Sequence, residues 1–188
     1  VVDTTVFAKQ EVSSPSMASK HWGVMSDNWA YYFQYDGNST TNLHRMSMVD
    51  GVSTSAWLHI RGASYTYMCY NSSDNHIYWA QSGILYKLNV ITSDVSTVAT
   101  GLGGTSSYSH SAAVGDYFFL TPDSGAVLKI VRISDGTVFT INNVSNIETG
   151  NNGSMAVVKN ATHYLLYTHS SSNLRQHYMT HANLEGLD

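Results

Sequence analysis

A fourfold internal repeat is the feature of this sequence that most constrains its fold. Each copy contains a leucine closely followed by a basic or polar residue, and these leucines are 42, 43 and 46 residues apart: Leu43, Leu85, Leu128 and Leu174. A segment rich in aromatic and aliphatic residues precedes each leucine: residues 31–33, 77–79, 117–119 and 164–166. Because two separate markers keep one period, the chain is predicted to consist of four copies of one structural unit.

Each unit has the pattern of four short strands joined by tight turns. Asp50-Gly51 and Asp135-Gly136 are dipeptides favoured in two-residue hairpin turns, and Ser93-Asp94 lies at the equivalent place. Segments rich in valine and threonine, which favour strands, follow these turns: residues 52–57, 95–99 and 137–141. No segment has a sustained helical period of apolar residues with caps, so we expect very little helix.

Four-stranded antiparallel units that repeat every 40 to 50 residues or so are typical of β-propeller blades. The sequence therefore predicts an all-β, four-bladed β-propeller with a period of about 44 residues, in a single domain spanning residues 1–188. The blades are expected near residues 16–61, 62–104, 105–147 and 148–188. Residues 3–12 alternate like a strand and are expected to pair with the last blade and close the ring.

Two alternatives to this architecture remain at the level of sequence. A β-sandwich would explain the many short strands but not the repeat. The chain also begins without methionine, so an excerpt of a longer protein is a second interpretation, in which the four blades belong to a larger wheel.

The composition argues against several classes of function. Only 12% of the residues are charged, the net charge is −4, and the nine lysines and arginines are scattered, so we expect neither nucleic-acid binding nor attraction to anionic membranes. No apolar run approaches the twenty or so residues of a membrane span, so no membrane insertion is expected. The single cysteine, Cys69, allows no internal disulfide and no cysteine zinc cluster.

The second copy carries the closest resemblance to a known family. Ile77-Tyr78-Trp79-Ala80, followed by residues 83–89, resembles the YWTD-type propeller repeats of extracellular receptors and bacterial surface proteins. Ala80 and Gln81 replace the Thr-Asp of that signature, so the resemblance is one of architecture. It implies a domain that binds proteins, glycans or peptides. Separately, residues 121–125 are similar to the Asp-box of sialidase-like propellers, which there stabilises a turn.

Residues suited to catalysis are sparse. Glycoside cleavage needs two carboxylates across a cleft, but Glu11, Glu148 and Glu185 are the only glutamates, and turns account for most aspartates. We therefore expect no enzymatic activity, no catalytic residues and no cofactor, with glycoside hydrolysis as a residual alternative. Cys69 has no recognisable partner base and is interpreted as a small buried apolar residue.

Histidines suggest a metal site without completing one. His177 and His181 are spaced to share one face of a strand, and His163 and His169 are close in sequence. No motif places a third ligand, so no metal site is expected.

Aromatic residues outside the predicted packing between blades are the candidate binding residues, because rings stack on sugars and anchor protein contacts. They are Trp22, Trp29, Trp57, Tyr65, Tyr67 and Tyr108. The function predicted from them is a non-enzymatic interaction module that binds a protein or a glycan through loops on one face.

A role in an assembly is the alternative function. A surface rich in Ser, Thr, Asn, Gly and Tyr also suits a structural or receptor-binding component of an extracellular or virion assembly, such as a phage fibre or decoration protein. Five Asn-X-Ser/Thr sequons would be glycan sites in a secretory pathway: Asn38, Asn71, Asn143, Asn152 and Asn160. The expected location is therefore extracellular, on a cell surface or on a virion.

Overall fold

The described part of the chain is all-β. The computed structural model of the 188-residue chain describes residues 20–25, 28–35, 40–50, 53–61, 68–104, 110–121, 127–142, 154–161, 163–169 and 174–180. Within these ranges the regular structure consists of fifteen strands, without a helix. The expectation of very little helix is met there.

The strands form four sheets that follow one another along the chain. The first contains β1 (Lys20–Met25), β2 (Trp29–Tyr35), β3 (Thr40–Ser47) and β4 (Ser53–Arg61). The second contains β5 (Cys69–Asn71), β6 (His76–Gln81), β7 (Ile84–Asn89) and β8 (Val95–Ala99). The third contains β9 (His110–Val114), β10 (Tyr117–Thr121), β11 (Val127–Arg132) and β12 (Val138–Asn142). The fourth contains β13 (Ser154–Lys159), β14 (His163–His169) and β15 (Leu174–Thr180).

Every sheet is an antiparallel meander in sequence order, as the repeat predicts. The aromatic markers lie on the second strand of each sheet and the marker leucines on the third. The first strands of neighbouring sheets contact one another in order: β1 with β5, β5 with β9, and β9 with β13. The first strands therefore form the inner edge of the stack of sheets.

Residues of the second sheet pack in both directions because successive side chains of a strand point to opposite faces. Ile77 and Trp79 pack with Tyr31 of the first sheet. Tyr78 and Ala80 belong instead to the core shared with the third sheet. All five side chains are at most 1% exposed. The uninterrupted apolar run on β6 therefore fills two inter-sheet cores.

The third sheet repeats this arrangement. Phe118 of β10 packs toward the second sheet, whereas Tyr117 and Phe119 pack with Tyr164 and Leu166 of the fourth. The Tyr117 and Tyr164 rings meet edge to face with centroids 5.4 Å apart. Three apolar cores thus join four sheets in a row, which is how the blades of a propeller pack.

The two end sheets are less buried on their outer faces. On the first sheet, Tyr32 and His44 stack at 5.3 Å and are only half-buried. On the fourth, Leu165 is half-buried and Val158, its partner across the strands, is 51% exposed. Among the described side chains, those of sheets two and three are therefore covered on both faces, and those of the end sheets mainly on one.

Candidate functional site

Aspartates gather at one end of the sheets. In an antiparallel meander the turn between strands one and two and the turn between strands three and four lie at the same end. All the carboxylate side chains of the described residues lie in these turns: Asp50, Asp74, Asp94, Asp116 and Asp135. We call this the acidic end. Two cationic residues, Arg132 and Lys159, lie beside these turns, so the acidic end carries an excess of negative charge.

The turn between β7 and β8 is held by its own side chains. The Asn89 side-chain oxygen accepts hydrogen bonds from the backbone N–H groups of Ile91 and Thr92, at 2.8 and 3.1 Å. The Thr92 hydroxyl donates to the Asp94 carboxylate at 2.6 Å. Asparagine and aspartate fix turns in this way because their short side chains reach the local backbone. Ile91 is left at the tip with 76% of its surface exposed.

The turn between β3 and β4 has the same design. The Ser47 hydroxyl accepts hydrogen bonds from the backbone N–H groups of Val49 and Asp50, at 3.2 and 3.4 Å. The Met48 N–H donates to the Asn28 carbonyl at 2.8 Å and so joins this turn to the neighbouring one. Val49 is 80% exposed and Met48 is 51% exposed. Both turns therefore present aliphatic side chains to solvent on a fixed backbone.

The third sheet carries a polar tip at this position. The Ser134 N–H and hydroxyl donate to the two carboxylate oxygens of Asp116, at 2.8 and 2.5 Å. Asp135 accepts a hydrogen bond from the Thr137 N–H and lies 2.9 Å from the Arg132 guanidinium. The backbone hydrogen bond from Thr137, supported by Arg132, lowers the pKa of Asp135. Asp135 is therefore ionised at neutral pH.

A side chain from the second sheet ties the acidic end together. The Asn71 side-chain amide donates to the Gly115 carbonyl of the third sheet at 2.7 Å, while its oxygen accepts from the Ser73 N–H at 3.2 Å. Asn71 is 2% exposed. The side-chain amide nitrogen is buried and already donates a hydrogen bond, so the suggestion that Asn71 carries a glycan is wrong for the folded protein. Asn160, another sequon residue, is exposed.

Asp74, His76 and Tyr78 form a polar group beneath these turns. The Tyr78 hydroxyl donates to the Asp74 carboxylate, and His76 Nδ1 lies 2.6 Å from the Asp74 carbonyl. Burial, together with the hydrogen bond and negative charge of Asp74, raises the pKa of Tyr78. The phenol is therefore neutral at ordinary pH and anchors the turn above it.

Cys69 lies next to this group. Its thiol donates to the Tyr78 carbonyl at 3.8 Å, and burial raises its pKa to about 12. The thiol therefore stays protonated at neutral pH. Cys69 is half-buried beside the core shared with the third sheet, so the expectation of a buried apolar residue is met only in part, while its protonated thiol is that of an unreactive cysteine.

The structure describes the side chain of one of the six predicted aromatic binding residues, Trp29. Trp29 is half-buried against the first inter-sheet core, and the Arg45 guanidinium lies 4.2 Å from the centre of its ring. Trp22 lies on β1 and Trp57 on β4, both with side chains outside the described set. Tyr65, Tyr67 and Tyr108 lie outside the described residues.

Sequence reasoning missed the exposed aliphatic tips, although the repeat contains a signal for them. Val49 and Ile91 are 42 residues apart, as are the marker leucines Leu43 and Leu85, so they hold one position of the repeat. Turns at such positions usually carry Gly, Asn, Asp or Ser. An exposed aliphatic residue there in two successive copies therefore departs from the usual composition of a turn.

The described ranges contain no group of three His, Cys, Asp or Glu side chains placed to hold a metal ion. His163 is half-buried at the start of β14, and His169 and His177 lie on β14 and β15 with side chains outside the described set. His181 lies outside the described residues. In the same ranges there is no helix of the length and hydropathy that crossing a membrane requires.

Similar solved structures identify the architecture of the chain, but no known protein identifies its family. No family model and no curated protein sequence matches the chain. Among solved structures, TolB from Acinetobacter baumannii is 13% identical, with a TM-score of 0.50, over 81% of this chain and 40% of its own. U3-55K is 10% identical, with a TM-score of 0.60, over 89% of this chain and 52% of its own. The extracellular domain of a hybrid two-component system from B. thetaiotaomicron is 12% identical, with a TM-score of 0.53, over 84% of this chain and 20% of its own.

These similarities concern the fold. TolB is a β-propeller and U3-55K is a WD40 propeller, which favours a propeller over a β-sandwich for this chain. The chain spans between 20% and 52% of the lengths of these three structures, and no match supports membership of the YWTD family. The described sheets and these matches together show that the chain has a propeller-like, all-β architecture.

Proposed function

We propose that this chain is a non-enzymatic interaction module that binds a protein partner through its acidic end. The observation that carries the proposal is the pair of exposed aliphatic tips, Val49 and Ile91, on turns fixed by hydrogen bonds. Exposed aliphatic side chains on a rigid framework favour protein contacts. A partner buries their apolar surface, and the turns lose little conformational entropy because they are already ordered. The propeller-like neighbours support an interaction role by analogy of fold.

The location and wider setting of the module are part of the same proposal. We place the protein outside the cell, on a cell surface or on a virion, with support from its hydroxyl-rich and amide-rich composition. One structural neighbour is itself an extracellular domain. Glycan binding, membership of a fibre or decoration assembly, and glycoside hydrolysis are the competing functions.

Selection of peptides tests the proposed function directly. A random-peptide phage library is selected on the immobilised chain, and synthetic versions of the enriched peptides are added during hydrogen–deuterium exchange. We expect slower exchange in the turns of the acidic end, including residues 47–50 and 89–94, because a bound peptide covers them. A glycan array and light scattering on the same preparation are the parallel measurements.

Four results would contradict the proposal. Failure to enrich any peptide, or protection confined to other parts of the chain, would remove the acidic end as a protein-binding surface. Specific hits on the glycan array without peptide binding would favour the glycan alternative. Large oligomers at every concentration in light scattering, again without peptide binding, would favour a structural role.

The finer architecture is also proposed. Three sheets have four described strands each, whereas the fourth has three and ends at β15. Residues 3–12, which lie outside the described residues, have the alternation of a strand. We propose that they pair with β15, complete the last blade and close a four-bladed ring, since covering an edge strand removes unpaired backbone groups.

Deleting residues 1–12 is the corresponding test. We expect the deletion to lower the free energy of unfolding by about 2 kcal/mol, or roughly 4–8 °C in Tm, because it uncovers the β15 edge and removes a few apolar contacts. A chain with Val6, Phe7 and Ala8 replaced by serine, measured by thermal unfolding, is the full-length companion. Unchanged thermal unfolding in both variants would refute closure by this segment.

A further inference from the structure

We propose that Val49 and Ile91 form a two-point docking surface for a protein segment in which apolar side chains lie beside lysine or arginine. This inference rests on the proposed function and adds the contact residues and the chemistry of the partner. The two tips lie at one repeat position on neighbouring sheets, and they are 80% and 76% exposed. Neighbouring blades therefore present the same kind of anchor.

The structure describes the turn between strands three and four in three of the sheets, and among these three the aliphatic tips are confined to the first two. At the same repeat position the third sheet has Ser134, whose hydroxyl and backbone N–H donate hydrogen bonds to the Asp116 carboxylate. The corresponding aliphatic residue before it, Ile133, is half-buried and packs with the core shared by the second and third sheets. A partner that binds the exposed aliphatic tips would therefore contact the first two sheets and not the third.

Both tips are prepared for binding by their turns. Ser47 and Asn89 lie at the same position of the repeat. Each side-chain oxygen accepts hydrogen bonds from two backbone N–H groups of its own turn, and one of these two groups belongs to the tip residue. Valine and isoleucine are also stiff at χ1 because they branch at Cβ. These side chains lose little conformational entropy when a partner binds, so most of the free energy gained by burying their methyl groups contributes to affinity.

Charge specifies the partner. Asp50 follows Val49 directly, Asp94 closes the turn of Ile91, and both are exposed. Four cationic residues lie on the described strands of these two sheets: Arg45 covers the Trp29 ring, Lys87 lies within β7, and Lys20 and Arg61 lie at the ends of β1 and β4 opposite the acidic end. A basic partner segment is therefore attracted to this surface and an acidic one is repelled.

Peptides enriched on the wild-type chain are the probe for this inference. We expect their sequences to combine apolar residues with Lys or Arg. Their affinity should fall about tenfold for the V49S/I91S double variant, as truncating two anchors predicts. Val158→Ser is the matched control, because it removes an exposed valine on β13. It should leave affinity unchanged, while higher salt or Asp50→Asn should weaken binding.

The outcomes separate the two proposals. If peptides protect the acidic end but bind the V49S/I91S variant as tightly as the wild type, the docking surface is wrong and the proposed function stands. Loss of affinity in Val158→Ser as large as in the double variant would also overturn the docking surface. If no peptide protects the acidic end, both fail. Because both tips are exposed, the double variant should unfold at the wild-type temperature, which thermal unfolding verifies.

Discussion

Replacing Phe118 with alanine is expected to destabilise the fold by about 4 kcal/mol, since truncation of a buried phenylalanine removes apolar contacts and leaves a cavity. The Phe118 side chain is fully buried in the core between the second and third sheets, with its ring 6.3 Å from that of Tyr78. Whole domains are stable by only about 5–15 kcal/mol, so the variant would lose a large part of its stability. Urea unfolding followed by tryptophan fluorescence measures the change.

Phe139→Ala is the matched control. Phe139 lies on β12, is half-buried, and has the Arg132 guanidinium 5.4 Å from its ring centre. Truncation of a half-buried ring loses less apolar burial, so we expect about 1–2 kcal/mol. If Phe139→Ala proved as damaging as Phe118→Ala, the full burial of the Phe118 ring would not account for the loss of stability.

The repeat made the sheets predictable because two requirements coincide in each copy. The second strand must fill the space on both sides of a blade, which selects continuous apolar runs such as 77–80 and 117–120. The turns must reverse the chain, which selects Asp135, whose carboxylate accepts the Thr137 N–H, and Gly136, whose φ is positive. The two-residue turn expected from this Asp-Gly pair is wrong, because the loop spans residues 133–136. Because both requirements recur at one spacing, the strand order of four sheets follows from the sequence. Closure by residues 3–12 stays a prediction.

The candidate site was less predictable because its residues do not have the usual character of binding residues. Six aromatic residues were expected to supply the contacts. The one whose side chain is described, Trp29, packs against the core beneath Arg45, and the expectation for the other five stays a prediction. Val49 and Ile91 could equally have been buried, and only the fold shows that their turns expose them. Asn71 matches the Asn-X-Ser/Thr sequon, but its side-chain amide donates a hydrogen bond to the Gly115 carbonyl, 44 residues further along the chain. Such long-range contacts leave no local signal.

Gly136→Ala is expected to destabilise the fold by about 3 kcal/mol. Gly136 has φ = 74°, a conformation that costs an alanine roughly 1–2 kcal/mol. An added Cβ would also overlap the carbonyl oxygen of Val98 in the second sheet, and backbone cannot move aside as a flexible side chain can. Overpacking of this kind typically adds about 1–3 kcal/mol. Urea unfolding measures the sum.

Gly101→Ala separates the two contributions. Gly101 has φ = 79°, close to that of Gly136, but an added Cβ there would meet no atom within 4 Å. Its substitution should therefore cost only the conformational part, roughly 1–2 kcal/mol. Equal destabilisation by the two substitutions would mean that the turn at Gly136 does not press against β8. A larger loss for Gly136→Ala would show that the acidic-end turn of the third sheet is seated on the second, as a rigid binding end requires.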